Sequence, residues 1–188
     1  MKPAEYPHVK ICCISSIREA DLAIKYGASA IGLVGKMPSG PGVISDELIA
    51  EIAAGVPGDI DTFLLTSETT AHGVINHHRK VNTSTIQIVD RIDTEAYRTL
   101  RNKLPAIKLV QVIHVLDENS VTEAAMYAEY ADALLLDSGN PSLAVKQLGG
   151  TGRTHNWELS LKIRELVDIP IYLAGGINPA NVKDAFNF

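Results

Sequence analysis

The sequence predicts an α/β protein built as a parallel β/α barrel, and three observations support this fold class. Seven short apolar runs recur along the 188 residues. These runs are continuously apolar rather than alternating, as expected for parallel strands that are covered on both faces. A helical pattern follows each run without a linker or a change of composition, which favours a single domain over residues 1–188.

Each predicted strand and helix rests on a local signal. The apolar runs that we predict as strands are residues 9–14, 30–34, 61–66, 85–89, 108–115, 133–137 and 169–174. Capping residues mark where the helices between them begin. The candidate N-caps are Ser16 with Glu19, Ser45, Asp93, Ser120 with Glu123, Asn156, and Asn178 followed by Pro179. Gly27 is placed to end the first helix in a left-handed conformation.

The main alternative to a barrel is an open, doubly wound sheet. Such sheets often carry a glycine-rich fingerprint after the first strand, whereas the corresponding segment here, KICCISSIRE, contains no glycine. We therefore favour a (β/α)8 barrel. Such a barrel typically needs about 250 residues, and a seven-stranded version would leave two strand edges exposed. An eighth strand and an eighth helix are therefore expected beyond the units that this sequence contains.

Composition and charge exclude several classes of function. A formal net charge of −5 and 5% aromatic residues provide neither a basic nor a base-stacking surface for nucleic acid. No apolar run approaches the roughly 18 residues of a membrane-spanning helix. The start of the chain, MKPAEYPHVKICCIS, lacks the pattern of a secretory signal. We therefore expect a cytoplasmic protein without nucleic-acid or membrane partners.

The cysteines and histidines predict neither a disulfide nor a metal site. Cys12 and Cys13 are neighbours in a predicted strand, where successive side chains point to opposite faces. Some histidines share no metal-ligand spacing; they are His8, His114 and His155. Others lie in a polar helix and are predicted to form a solvated face; they are His72, His77 and His78. We expect no metal.

Two residues at predicted strand ends could carry out acid–base chemistry. Alternation places Lys10, Cys12 and Ile14 on one face, so Cys12 would lie at the barrel mouth if that face points to the axis. A thiol can act as a base once nearby cations lower its pKa. Asp137 ends the apolar run ALLLD, where partial desolvation would favour the protonated carboxyl of a general acid. The alternatives are that Cys12 only fills a strand and that Asp137 only bonds to its own loop.

Two glycine-rich loops could bind an anionic ligand. The segment GGTGRTHNW (149–157) leads into a helix and contains Gly150, Gly152 and the cation Arg153. The segment LAGGINPANV (173–182) contains the seventh strand end, after which barrels commonly bind phosphate. Its candidate ligand-binding residues are Gly175, Gly176 and Asn178. The first loop could instead be a flexible lid, and the second a turn that binds nothing.

Taken in order, these motifs resemble the phosphoribosylanthranilate isomerase family along nearly the whole chain. KICCIS is similar to the family's K-I-C-G-I-T, GASAIGLV resembles its second-strand segment, and LLLDS matches its sixth strand. GGTGRTHNW is close to G-G-T-G-K-T-F-D-W, and LAGGINPANV is close to L-A-G-G-L-N-P-E-N-V. The resemblance implies a (β/α)8 barrel that catalyses an Amadori rearrangement without metal or organic cofactor.

The resemblance also implies roles for individual residues. Asp137 matches the general acid that protonates the ribose ring oxygen, and Cys12 matches the base that removes the C2′ proton. Gly175 and Gly176 would help to hold the phosphate. The expected partner is therefore a small phosphorylated sugar, bound by a monomer or a homodimer.

The loop after the second strand departs from the family pattern. The family segment resembles F-x-P-x-S-P-R-x-V, whose arginine holds the anthranilate carboxylate, whereas GKMPSGPGVIS has Gly42 at that position. Lys36 or Arg153 could substitute for the lost cation. The fourth strand ends in Val89 and Asp90 where the family usually has Q-L-H-G. These changes leave two alternatives open: an isomerase or epimerase that acts on another aglycone, and a phosphate-ligand binding protein without turnover.

Overall fold

The computed structural model describes residues 8–187 and contains seven β-strands, one in each predicted apolar run. In chain order they are β1 (Lys10–Ile11), β2 (Ala30–Val34), β3 (Asp61–Thr66), β4 (Thr85–Ile88), β5 (Lys108–His114), β6 (Ala133–Asp137) and β7 (Ile171–Leu173). They lie in that same order in one sheet, and every neighbouring pair is parallel. A doubly wound sheet would reverse its strand order at a switch point. The unbroken order therefore confirms the barrel architecture, with seven of its β/α units present.

Helices alternate with the strands. They are α1 (Ile17–Lys25), α2 (Asp46–Gly55), α3 (Ala71–Val81), α4 (Thr94–Lys103), α5 (Asn119–Ala128), α6 (Trp157–Leu166) and α7 (Val182–Asn187). The predicted caps Ser16, Ser45, Asp93 and Asn156 each accept a hydrogen bond from a backbone N–H of the first helical turn. Gly27 follows α1 with a φ of 92°, as predicted. In the described part of the chain, no helix has the length and apolar character needed to cross a bilayer.

Two of the predicted helix starts are wrong. Ser120 lies inside α5, and its hydroxyl accepts a hydrogen bond from the N–H of Leu116 while donating one to the carbonyl of His114. The hydroxyl is therefore used to tie the preceding loop to the end of β5. The Asn178 side chain accepts from the N–H of Ala180 and so caps a separate turn, after which α7 begins.

The histidines of α3 correct another prediction. Of the three, His72 is exposed, whereas His77 and His78 are buried. The His77 ring lies between Thr66, whose Oγ1 is 2.8 Å from Nδ1, and Asp46, whose Oδ1 is 3.1 Å from Nε2. Because these partners satisfy both ring nitrogens, a helix with a polar sequence can still bury this face.

Strand side chains alternate between the inside of the barrel and the layer beneath the helices. The inner layer consists of Ala30, Val34, Phe63, Leu65, Val89, Val110, Val112, Ala133, Leu135 and Leu148. The intervening residues, such as Ile31 and Leu64, pack outward against the helices. Asp137 has the same parity as the inner residues of β6, so the period of two carries it to the mouth of the barrel.

The end of β1 departs from the predicted alternation. Cys13 has a φ of 60°, which is the left-handed conformation, so the chain turns immediately after Cys12. Ile14 consequently packs in the layer beneath the helices rather than on the face of Lys10 and Cys12. Cys13 packs against the inner layer. Cys12 lines the cavity and is exposed there, whereas the predictions for Cys13 and Ile14 are wrong.

Strands β1 and β7 form the two edges of the sheet in the described residues. On the β1 side, Val9 and Ile11 are exposed. These edges flank the position that an eighth β/α unit occupies in a closed barrel. Residues 1–7, which begin the segment tested for a secretory signal, and residue 188 lie outside the described range.

Candidate active site

A cavity of about 1770 Å³ runs along the inside of the sheet, from Asp61 and Lys108 at the amino ends of β3 and β5 to the loops that follow the carboxyl ends of the strands. In a barrel, functional residues gather at this end because the loops that follow the strands converge there. The residues singled out in the sequence that line this cavity are Cys12, Asp137, Gly150, Gly152, Gly175, Gly176 and Asn178. Arg153 does not line it, but the Arg153 backbone passes so close to Gly176 that a Cβ there would lie 2.6 Å from it. The structure thus brings the predicted site residues together.

Asp137 ends β6 with its carboxylate at the mouth. The residue is 8% exposed, and its Oδ1 accepts a 2.8 Å hydrogen bond from the N–H of Ser138. Two glycines make room for this carboxylate. A Cβ on Gly149 would come within 2.9 Å of Oδ2, and a Cβ on Gly175 within 3.1 Å of Oδ1. Both glycine-rich loops are therefore built closely around this one side chain.

Cys12 follows β1 and shares its surroundings with Lys10. A Cβ on Gly32 would lie 2.9 Å from Cys12 Sγ and 3.2 Å from Lys10 Nζ. The thiol of Cys12 and the ammonium of Lys10 thus both lie beside the β2 backbone at Gly32, which has no side chain. The ammonium also lies 5.2 Å from the centre of the Phe63 ring, in a cation–π contact that holds it inside the barrel.

These neighbours favour the ionised form of Cys12. Hydrogen bonding with the Cys13 side chain lowers the pKa of Cys12 to about 6, and the charge of Lys10 also lowers it, against desolvation by the barrel wall. The same hydrogen bond, together with burial, raises the pKa of Cys13. Neither cysteine is in a disulfide. These neighbours therefore favour the thiolate of Cys12, which is the form that can act as a base.

Cys13 accounts for the glycine in the loop between β2 and α2. A Cβ on Gly42 would lie 2.6 Å from Cys13 Cβ and 2.8 Å from its Sγ, and Gly42 itself has a φ of 81°. The family pattern has glycine at the position of Cys13 and arginine at that of Gly42. Relative to that pattern, the larger side chain is at position 13 instead of position 42. The side chain of Cys13 fills the space that a side chain on residue 42 would need.

The loop after β6 continues around the other side of Asp137. Ser138 Oγ and Thr151 Oγ1 are 2.6 Å apart, and Thr151 Oγ1 also accepts a hydrogen bond from the N–H of Arg153. Gly175 and Gly176 have φ angles of 79° and 65°, a conformation that glycine adopts readily. A Cβ on Gly175 would lie 3.0 Å from Ser138 N, so the β6–α6 loop packs directly beside the β7–α7 turn.

The loops after β2 and β6 also meet above the mouth. Ser39 Oγ donates a 2.6 Å hydrogen bond to the carbonyl of Lys146, and a Cβ on Gly150 would touch Pro41 at 2.5 Å. Lys146 Nζ forms a 2.5 Å ion pair with Asp90, which is 5% exposed. Sequence reasoning missed Lys10, Ser39 and Lys146, because a single lysine or serine outside a motif carries no recognisable signal. Asp90 was noticed only as a departure from the family.

A metal is not indicated by this arrangement. Across residues 8–187, no three His, Cys, Asp or Glu side chains are grouped so that they could hold a metal ion.

The order of the strands and the position of the cavity define this chain as a β/α-barrel enzyme. Residues 9–188 match the family described as N-(5'-phosphoribosyl)anthranilate (PRA) isomerase, and the chain belongs to that family. A relative of that name from Haloarcula marismortui is 32% identical, over 94% of this chain and 79% of the relative. One from Methanosarcina acetivorans is 30% identical, over 94% of this chain and 78% of the relative.

Solved structures agree with the family assignment. Phosphoribosyl anthranilate isomerase from Thermotoga maritima superposes with a TM-score of 0.80 at 26% identity, covering 97% of this chain and 83% of that one. Another isomerase structure, with a TM-score of 0.77 at 24% identity, covers 97% of this chain and 82% of its own. It contains reduced 1-(o-carboxyphenylamino)-1-deoxyribulose 5-phosphate.

Proposed function

We propose that this protein catalyses the Amadori rearrangement of N-(5′-phosphoribosyl)anthranilate to 1-(o-carboxyphenylamino)-1-deoxyribulose 5-phosphate, a step of tryptophan biosynthesis. The observation that carries the proposal is that Cys12 and Asp137, following β1 and ending β6, line the same cavity. The rearrangement requires one proton to be donated and another to be removed, and therefore an acid and a base at one site. Relatives at about 30% identity carry the name of this activity.

In the proposed mechanism, Asp137 donates a proton to the ribose ring oxygen as the bond between that oxygen and C1′ breaks. The nitrogen lone pair forms an iminium at C1′. The thiolate of Cys12 then removes the proton from C2′, and the electron pair left behind forms the C1′–C2′ double bond of an enolamine. Loss of the O2′ proton and protonation at C1′ give the ketone, so the reaction consumes no oxidant or reductant. The lowered pKa of Cys12 supports its role as the base.

We place the phosphate at the loops after β6 and β7. Gly175 borders the Asp137 carboxylate, so a phosphate bound at this turn would hold the ribose next to the acid. Glycines with positive φ allow backbone N–H groups to approach an anion closely. The residues proposed to contribute are Gly150, Gly152, Arg153, Gly175, Gly176 and Asn178.

The proposed substrate is a small phosphorylated sugar derivative, and the isomerase structure that contains a reduced aminodeoxyribulose phosphate supports that chemical class. One of the similar structures is described as a monomeric form of a dimeric isomerase. A monomer or a homodimer, a cytoplasmic location and a single domain over residues 1–188 stay predictions.

A second candidate function is the same isomerisation with an aglycone other than anthranilate. The contact between Gly42 and Cys13 favours it, because this loop has no room for the arginine of the family pattern. A binding protein without turnover is disfavoured, since simple binding needs neither a thiolate nor a buried carboxyl.

A direct assay separates these functions. The full protein should convert phosphoribosylanthranilate, seen as loss of its fluorescence, and its gene should restore growth without tryptophan to a strain that lacks the isomerase. Failure of both would contradict the proposed function. Turnover of a phosphoribosylamine with a different aryl group, and not of the anthranilate compound, would establish the second candidate. Ligand-induced thermal stabilisation without product would establish the binding protein.

A further inference from the structure

We propose that Lys146 binds the carboxylate of the substrate's aryl group and thereby determines which aglycone is accepted. This inference rests on the proposed function. It assigns a binding partner to the aryl carboxylate of the substrate, which neither the phosphate loops nor the acid–base pair would bind.

The side of the mouth formed by the loop after β2 and the end of β4 is mostly apolar. Its cavity-lining residues include Met37, Pro41, Val89 and Leu148. Such a wall suits an aromatic ring, but it offers no partner to a carboxylate. An ionised carboxylate that loses water without gaining a partner is strongly disfavoured. A cation at the rim of this wall is therefore required for an anthranilate group.

Three of the cations in the surrounding loops are poorly placed for this task. Arg91 is engaged by both carboxylate oxygens of Glu123, at 2.7 and 2.8 Å. Arg153 belongs to the phosphate side, because its backbone packs against Gly176. Lys36 is exposed, and within residues 8–187 no ion pair fixes its ammonium, so binding an anion there would require it to be ordered first.

Lys146 is held in place at both its backbone and its side chain. Ser39, which lines the cavity, donates to its carbonyl at 2.6 Å. Asp90, which directly follows the cavity-lining Val89, binds its ammonium at 2.5 Å. The next residue in the chain joins a β-bridge within the β6–α6 loop. These contacts fix the cation between the loop after β6 and the end of β4, next to the cavity-lining Ser39 and Val89; Lys146 and Asp90 are not themselves among the lining residues.

The charges of the Lys146–Asp90 pair make binding of the substrate carboxylate depend on Lys146 in two ways. An ammonium has three donors, and the Lys146 side chain is 46% exposed, so donors remain for a second carboxylate. Asp90 is 5% exposed, and its other oxygen accepts from the N–H of Arg91. If Lys146 lost its charge, the buried carboxylate of Asp90 would be unpaired beside the aryl site and would repel the substrate's own carboxylate.

The test compares two substrates in the full protein: phosphoribosylanthranilate and phosphoribosylaniline, which lacks the carboxylate. Lys146→Met should raise the KM for the anthranilate substrate by roughly tenfold or more while leaving the KM for the aniline substrate within about twofold. The kcat for both should change little, since the reacting atoms are untouched. The double variant Lys146→Met/Asp90→Asn should recover part of the lost affinity, because it removes the repelling charge.

The matched control is Lys162→Met, which breaks an ion pair of the same length, with Glu118, on the helical surface. It should leave both KM values unchanged. Equal effects of Lys146→Met on the two substrates would show that the lysine only holds the loop, and would overturn the inference. A carboxylate-dependent loss with Lys36→Met instead would also overturn it. If the wild-type protein converts neither substrate, it is the proposed function that fails.

Discussion

The two sides of the barrel mouth differ in how closely their sequences follow the family pattern. On the phosphate side, at the ends of β6 and β7, the sequence motifs and the geometry agree: Gly149 and Gly175 border the Asp137 carboxylate within about 3 Å of where their Cβ atoms would be. On the proposed aryl side, at the ends of β1, β2 and β4, residues that depart from the family pattern contact residues of other loops.

Each of these contacts joins two different loops. Cys13 and Gly42 exchange bulk, and Asp90 and Lys146 form an ion pair that bridges the end of β4 to the loop after β6. In the proposed mechanism, the phosphate side also holds the acid, which has one productive position. The proposed aryl side needs only an apolar wall for an aromatic ring and a cation, and several arrangements can supply these. A residue that departs from the family pattern on the aryl side can therefore be interpreted only together with the residue that it contacts.

The largest predicted effect tests the acid–base pair. Cys12→Ala and Asp137→Asn should each lower kcat by about 10²-fold or more, because each removes one proton-transfer group. The measurement is the initial rate of phosphoribosylanthranilate conversion at saturating substrate. Phosphate-containing ligands should still raise the melting temperature of both variants, which shows that the fold and phosphate side are intact. A variant with nearly normal kcat would remove that residue from the mechanism.

Because Cys13 and Gly42 are in contact, substitutions at these two positions should have non-additive effects on the free energy of unfolding. Gly42→Arg should destabilise the protein by about 2 kcal/mol or more, because the new Cβ collides with Cys13 and the residue has a positive φ. In a Cys13→Gly background the same change should be milder, with a coupling of about 1 kcal/mol. Urea unfolding of the four proteins measures this. Strictly additive effects would mean that the two positions are independent.

The fold could be predicted because parallel strands covered on both faces leave continuous apolar runs, and polar caps mark the helix starts. The prediction failed where one residue broke the local rule. The left-handed Cys13 ends the alternation of β1, and nothing in the residue type announces it, since this conformation favours glycine. Buried His77 and His78 were assigned to a solvated face, because the groups that bind their rings lie outside α3.

The residues of the candidate site could be predicted only where they lie within a contiguous motif. Asp137 and the two glycine-rich loops lie within such motifs. The Asp90–Lys146 pair joins residues that are 56 positions apart, and Lys10 reaches Cys12 only because Gly32 leaves space between them. Pairings of this kind form only in the folded protein, so a single sequence shows the members without the contact.

A smaller effect concerns the pH profile. Hydrogen bonding with Cys13 and then the charge of Lys10 lower the pKa of Cys12 to about 6, so kcat/KM should rise with pH through about 6 as the thiolate forms. Lys10→Met removes one of these causes, raises the pKa of Cys12 and moves the acid limb to higher pH. Lys103→Met, on exposed α4, is the control and should leave the limb in place. An unmoved limb in Lys10→Met would show that this lysine does not set the ionisation of the base.

The smallest effect distinguishes the two sides of the mouth through a single hydroxyl. Ser39→Ala removes the hydrogen bond to the Lys146 carbonyl, so the lysine keeps its ion pair with Asp90 but loses its anchor to the loop after β2. The KM for phosphoribosylanthranilate should rise roughly twofold to fivefold with kcat unchanged, since one neutral hydrogen bond contributes about 1 kcal/mol. Ser29→Ala, which removes a similar hydroxyl–carbonyl bond to Val9 at the opposite end of the barrel, should change neither constant. A lower kcat in Ser39→Ala would mean that the loop contact also positions the acid–base side, and the separation of the mouth into two independent sides would then be wrong.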